Sequence, residues 1–194
     1  MTCKRRLFAL TLALPVLAMT ACSPESGTGM ASEPVAAETL SEQEFEISVS
    51  YDASGYYLPN SAVTAGGWTV NHLFIGHSTD FELWREAGAT PVEIPVWLSL
   101  DPVDGETAVN ELGQTYFVGN RRIRPSSFTL TDGAFEFRAR DETLGQVIIS
   151  GRIQPEYLHV PGETPHDNAA ALTVGVEMDE ERFRNTSFMH WLGD

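Results

Sequence analysis

The sequence predicts an all-β domain, an antiparallel β-sandwich or an open barrel with short helical segments, carried on a disordered N-terminal tether. Three observations lead there. Apolar and polar residues alternate with a period of two over short runs, turn signals separate those runs, and almost no stretch sustains a 3.6-residue period.

Each element has its own signal. Phe45, Ile47, Val49 and Tyr51 alternate with Glu46, Ser48, Ser50 and Asp52, which reads as a half-buried strand with one wet face. Further strands are expected over Trp68 to Ile75, Val92 to Leu100, Gln114 to Val118 and Ala170 to Met178, with Pro95 pointing to an edge position for the second. Asp132-Gly133 sits between two alternating runs as a two-residue hairpin turn. That loop pairs Thr131 with Ala134, Leu130 with Phe135, Thr129 with Glu136 and Phe128 with Phe137, so apolar residues meet apolar ones. Val147, Ile149 and Ile153 face one way in the run from Gln146 to Ile153, completing a three-stranded meander. Short helices are expected over Thr79 to Glu86 and Asp179 to Phe188. In the second, Asp179 serves as cap and Glu180 and Glu181 lie at the positive end. A domain of about 150 residues buries roughly 68 to 70% of the surface its unfolded chain exposes. It needs no metal or disulfide to be stable, and the sequence calls for no cofactor.

Charge excludes one class of partner. The only cations among the first 21 residues are Lys4, Arg5 and Arg6, so the remainder carries 9 Arg, no Lys and all 27 carboxylates, a net charge of −18. Nucleic-acid binding depends on cations that neutralise phosphates, and this balance opposes it.

Residues 1–21 combine that basic start with an apolar run from Leu7 to Ala18 and the small residues Thr20-Ala21, the pattern of a secretory signal peptide. The run is 12 residues long, against about 20 for a helix that spans a bilayer. Leu17-Ala18-Met19-Thr20-Ala21-Cys22 resembles the lipobox of bacterial lipoproteins, departing from it at Met19, where the family usually has Leu, Val or Ile. The resemblance covers this segment only. It implies cleavage before Cys22, acylation of its sulfur and new amine, and a lipid anchor in the cell envelope; Ser23 is similar to the pattern of lipoproteins sent to the outer membrane, facing the periplasm. Cysteine usage agrees, because Cys3 leaves with the signal and no cysteine follows Cys22. Residues 22–43 then form the lipidated, disordered tether, rich in Ser, Pro, Gly and Glu, and residues 44–194 the single β domain.

The mature domain offers several groups with binding chemistry. Tyr56 and Tyr57, beside Gly55 and Pro59, suit stacking on a sugar or a partner. Arg121, Arg122 and Arg124 hold a third of the domain's arginines and suit carboxylate or phosphate, against the simpler reading that they pair with the protein's own acids. His72, His77, His159 and His166 are the alternative, a nitrogen site for zinc or copper, although their spacing matches no usual zinc pattern. Gly76-His77-Ser78 resembles the nucleophile elbow of serine hydrolases, but Asp80 replaces the closing glycine and the elbow belongs to an α/β sheet. The acids of Asp101 to Glu106 read as turn chemistry rather than a calcium loop. The expectation is therefore a lipid-anchored, non-enzymatic binding or structural protein of the periplasm, whose partner is an envelope protein or a small ligand, with metal handling as the alternative.

Overall fold

The computed structural model describes residues 45–163 and 168–193, all within a compact unit running from Leu40 to Asp194. The expected signal segment, the tether, Cys22 and His166 lie outside the described residues. In chain order the strands are β1 (Phe45–Ser48), β2 (Gly55–Pro59), β3 (Thr64–Ala65), β4 (Trp68–Ile75), β5 (Val96–Pro102), β6 (Thr107–Val109), β7 (Thr115–Phe117), β8 (Arg121–Ile123), β9 (Ser127–Thr131), β10 (Phe135–Asp141), β11 (Gly145–Ile153), β12 (Leu172–Met178) and β13 (Glu181–Trp191). One α-helix, α1 (Ser78–Glu86), lies between β4 and β5, and a 3-10 turn covers Pro155–Tyr157.

All but two of the strands join one sheet in the order β1-β9-β10-β11-β12-β13-β2-β4-β5-β8, with β3 paired to β4; β6 and β7 form a separate hairpin. Every pairing is antiparallel except β1 on β9. The chain passes from β8, at one end of that order, to β9, beside the other end, through Arg124, Pro125 and Ser126 alone. Four Cα steps of about 3.8 Å reach no farther than about 15 Å, so the sheet has to curl until its ends approach one another. The result is one curled, open sheet, a half-barrel rather than a two-sheet sandwich.

Alternation along each strand decides what fills the curl. Leu73 and Ile75 on β4, Leu98 and Leu100 on β5, Phe128 and Leu130 on β9, Phe135 and Phe137 on β10, Val147 and Ile149 on β11, and Val174 and Val176 on β12 are all buried. The expected register of the Asp132-Gly133 hairpin is the one observed, from Phe135 opposite Leu130 to Phe137 opposite Phe128, closed by the Thr131 N–H donating to the Ala134 carbonyl at 2.9 Å. Helix α1 returns across the seam. Its Phe81 stacks on Phe128 at 6.4 Å between ring centroids, and its Trp84 meets Phe45 of β1 edge-on at 5.2 Å.

Two expectations need correction. Asp179 to Phe188 is not helical: Asp179-Glu180 is the two-residue turn between β12 and β13, and Asp179 takes φ +59°. That left-handed conformation is one a short polar side chain tolerates, so the acids that resemble a helix start mark a hairpin instead. The strand expected over Val92 to Leu100 starts at Val96 and lies between β4 and β8, not at an edge; Pro95 precedes it, where its missing N–H costs no ladder bond. The edges are β1 and β8. Among the described residues no helix is long and apolar enough to cross a membrane.

Phe128 touches the helix, β10 and the core at once. Replacing it with alanine is expected to cost about 3–5 kcal/mol in urea unfolding, whereas Leu112→Ala, on a side chain 83% exposed, should change stability by no more than about 0.5 kcal/mol. Similar values for the two would refute the packing described here.

Candidate functional site

The loops at one end of the barrel converge around the segment Tyr51-Asp52-Ala53-Ser54, which links β1 to β2. Three fixings hold it. The Ser50 N–H donates to Asp132 Oδ1 at 2.7 Å, the Ser54 N–H donates to Asp52 Oδ1 at 2.9 Å, and the buried Tyr57 hydroxyl donates to the Ala53 carbonyl at 2.8 Å. A fourth comes from His190 on β13, 4% exposed, whose Nε2 donates to the Ser54 carbonyl at 2.8 Å. Its Nδ1 accepts the His159 N–H at 2.8 Å. One ring nitrogen must therefore carry a proton and the other must not, so a neutral His190 ties β13, the Tyr51–Ser54 segment and the loop after β11 together. Gly55 makes room for this: a Cβ there would lie 2.5 Å from His190 Nε2, and its φ is +135°.

Two clefts flank the segment. The first, of 300 Å³, has apolar walls of Ile47, Val49, Ile75, Phe81 and Leu130, with Asp52, His77 and Ser78 also lining it. The second, of 320 Å³, lies between Tyr51, Asp52 and Ser54 on one side and Leu158, His159, Pro161, His190 and Leu192 on the other. Both sit at the small end of the size range of ligand pockets. The Tyr51 hydroxyl and His159 Nδ1 are buried without a partner among the described residues. His159 Nε2 lies 3.1 Å from the Glu163 carbonyl, which can only accept, so Nδ1 is the bare lone pair of the neutral ring.

His77 has a structural task as well. It is the N-cap of α1: Nδ1 accepts the Thr79 N–H, while Asp80 Oδ2 accepts the His77 N–H at 2.9 Å, a reciprocal capping box. Capping fixes the tautomer of the neutral ring and turns Nε2 toward Asp52 Oδ2, 3.6 Å away. Ser78 Oγ lies 3.4 Å from the same Nδ1 that serves the cap. The imidazole lone pair is thus committed to the helix backbone, and the elbow-like sequence is used as a helix start.

The titration behaviour follows the packing. Burial pushes His190 down, reinforced by His159, while the Ser54 carbonyl and Asp52 oppose the shift. Burial also acts to raise Asp52, but hydrogen bonds from Ser54, with His77 and His190 nearby, hold its carboxyl below the usual carboxylate range. Burial raises the Tyr51 hydroxyl, and the Asp132 carboxylate adds to the effect.

The other sequence-derived candidates go elsewhere. Tyr57 is in the core, fully buried. Alternation sends its neighbour Tyr56 to the outer face, in a row that crosses four strands from Trp191 through Tyr56 and Phe74 to Trp97, each residue directly opposite the next. The guanidiniums of Arg122 and Arg124 lie over Trp97 at 4.9 and 5.5 Å. Rings in this row cover one another's faces, with Phe74 and Trp97 stacked at 4.0 Å, which stabilises the sheet as cross-strand pairs do. Arg121, on the other face of β8, pairs with Asp141 at 2.9 Å and lies over Trp68. His72 also points outward, edge-on to Tyr56 at 5.1 Å and hydrogen-bonded to Asn71, with its pKa lowered by burial and by Arg122 against Asp101. Hence His72, His77 and His159 are not brought together, since His72 is on the outer sheet face and the others flank different clefts. Among the described residues no three His, Cys, Asp or Glu side chains could share an ion. Gly105 donates its N–H to the Pro102 carbonyl at 3.2 Å, the turn expected there.

Asp52 and His190 escape a sequence reading. Asp52 belongs to an ordinary wet strand face until the chain bends there, and His190 lies beyond a segment that reads as a helix. The alternation Thr186, Phe188, His190, all buried, was the available signal. Comparison with protein-family models, curated proteins and solved structures finds no match to this chain.

A buried, neutral His190 gives a pH dependence of definite sign. Its folded pKa lies below that of the unfolded chain, about 6.5, so the unfolded state takes up the proton first. Stability is then full above about pH 6.5 and falls as the pH drops toward the lower folded value. Urea midpoints at pH 7.5 and 5.5 are expected to show this loss, and His190→Gln to flatten it; an equal loss in the variant would assign the effect to another group.

Proposed function

We propose that this chain is a lipid-anchored envelope protein that binds a small ligand at the loop end of its barrel without transforming it. The observation that carries this reading is the pair of clefts sharing the Tyr51–Ser54 segment, whose loops are fastened to the barrel by Tyr57 and His190. Preorganised loops lower the entropic cost of ligand capture. A binding role is favoured over hydrolysis because the one imidazole beside a serine in the first cleft is committed to capping a helix. The lipobox-like segment before Cys22 supports the anchor, and Ser23 an outer-membrane position facing the periplasm. Several acyl chains, each adding about 0.8 kcal/mol per buried methylene, would make that attachment effectively permanent.

Cell fractionation joined to native mass spectrometry tests both parts. The chain is expected in the membrane fraction, with Cys22→Ser released to the soluble fraction, and the detergent-extracted protein is expected to carry a small-molecule mass beyond its acyl chains. A Cys22→Ser variant that stays with the membrane would refute the anchor. A mass explained by polypeptide and acyl groups alone would count against a resident ligand.

A further inference from the structure

We propose that the first cleft takes a small amphipathic amine, with its ammonium on Asp52 and its apolar body between Ile47, Val49, Phe81 and Leu130; this names the ligand class of the binding role above and rests on it. Three features of the cleft agree. The first is charge. Among the described residues Asp52 is the only carboxylate lining the cleft, and no Lys or Arg lines it. An anion entering there would meet an uncompensated like charge, whereas a cation gains a charge-assisted hydrogen bond. The surrounding chain, with 27 Asp and Glu against 12 Lys and Arg, carries a field that concentrates cations and repels anions.

The second feature is unused hydrogen-bonding capacity. A carboxylate offers about four acceptor positions. Ser54 takes part of this capacity, its N–H on Oδ1 at 2.9 Å and its hydroxyl on the same carboxylate, while Oδ2 faces His77 Nε2 at 3.6 Å, beyond hydrogen-bond distance, and the side chain is 61% exposed. Asp52 is thus fixed in place by its turn and still open to a donor from the cleft. The third feature is the wall. Ile47, Val49, Ile75, Phe81 and Leu130 make one side apolar, and a volume of 300 Å³ suits one ring with a short chain. A purely apolar ligand would leave the carboxylate without a new partner, and a purely polar cation would leave the wall wet. A molecule with both parts matches both surfaces.

Amide-shift titration of the isotope-labelled full chain in mild detergent, with phenethylamine, 2-phenylethanol and phenylacetate as probes of matched shape, separates the alternatives. The amine is expected to shift the amides of Val49, Asp52 and His77 and to bind at least tenfold more tightly than the alcohol. Asp52→Asn, which keeps the oxygen that accepts from Ser54, is expected to abolish that preference. If the alcohol or phenylacetate binds these residues as tightly as the amine, or Asp52→Asn keeps the preference, the amine assignment is wrong while the cleft stands as a binding site. If no probe shifts these amides at millimolar concentration, the cleft itself is refuted as the site.

Discussion

The three-residue connection from β8 to β9 is the constraint on which the rest of the structure depends. It joins β8, at one end of the strand order, to β9, next to the other end, and a link that short requires the sheet to curl until its ends approach. Curling turns one face of the main sheet inward, which is why alternation along its strands supplies most of the core. It also leaves a seam. Phe81 and Trp84 of α1 cross it to reach Phe128 and Phe45, and the Arg124 guanidinium donates to the Ile94 carbonyl beside it. The helix is amphipathic because it has this one seam to cover: Phe81 and Trp84 are buried, while Glu82, Leu83, Arg85 and Glu86 face solvent.

The binding end is a consequence of the same closure. Once β2 lies between β13 and β4, Tyr57 and His190 stand side by side in the interior, their rings 4.9 Å apart. Both then spend polar atoms on the backbone of the segment that divides the clefts. These bonds are made by buried groups, so breaking one leaves an unpaired polar atom at a cost of about 1–3 kcal/mol. The loops are consequently part of the barrel rather than appendages to it. At Asp52 a carboxylate, the His77 imidazole and an apolar wall meet in one cleft.

Much of the fold is legible in the sequence because its determinants are local. The Asp132-Gly133 hairpin reveals its register through pairs such as Phe128 with Phe137, and the run from Trp68 to Ile75 announces a strand by its apolar, β-favouring side chains. What escapes is non-local. Asp179-Glu180-Glu181 carries the same charges whether it starts a helix or turns a hairpin, and only pairing of β12 with β13 decides between them. Val92 to Leu100 contains Pro95, but whether a strand is an edge depends on β8, more than 20 residues away. For the site, the sequence points to His77 and His159 as polar groups, to Tyr56 and Tyr57 as a stacking pair and to Arg121, Arg122 and Arg124 as a separate patch. It does not reveal that a β-bulge between Val70 and His72 shifts the alternation and leaves His72 outside, or that Asp52 and His190 meet at one segment from positions 138 residues apart.

The claim that the loop end is a preformed cleft is tested most directly by amide hydrogen exchange at His159. Its N–H is held by the buried Nδ1 of His190 at 2.8 Å, 31 residues away in sequence. If the loops are fastened to the barrel, this amide exchanges as slowly as those of the neighbouring strands β12 and β13, through opening of the fold itself. Exchange at the rate of an open surface loop would mean that the segment moves independently and that the cleft is not built before a ligand arrives.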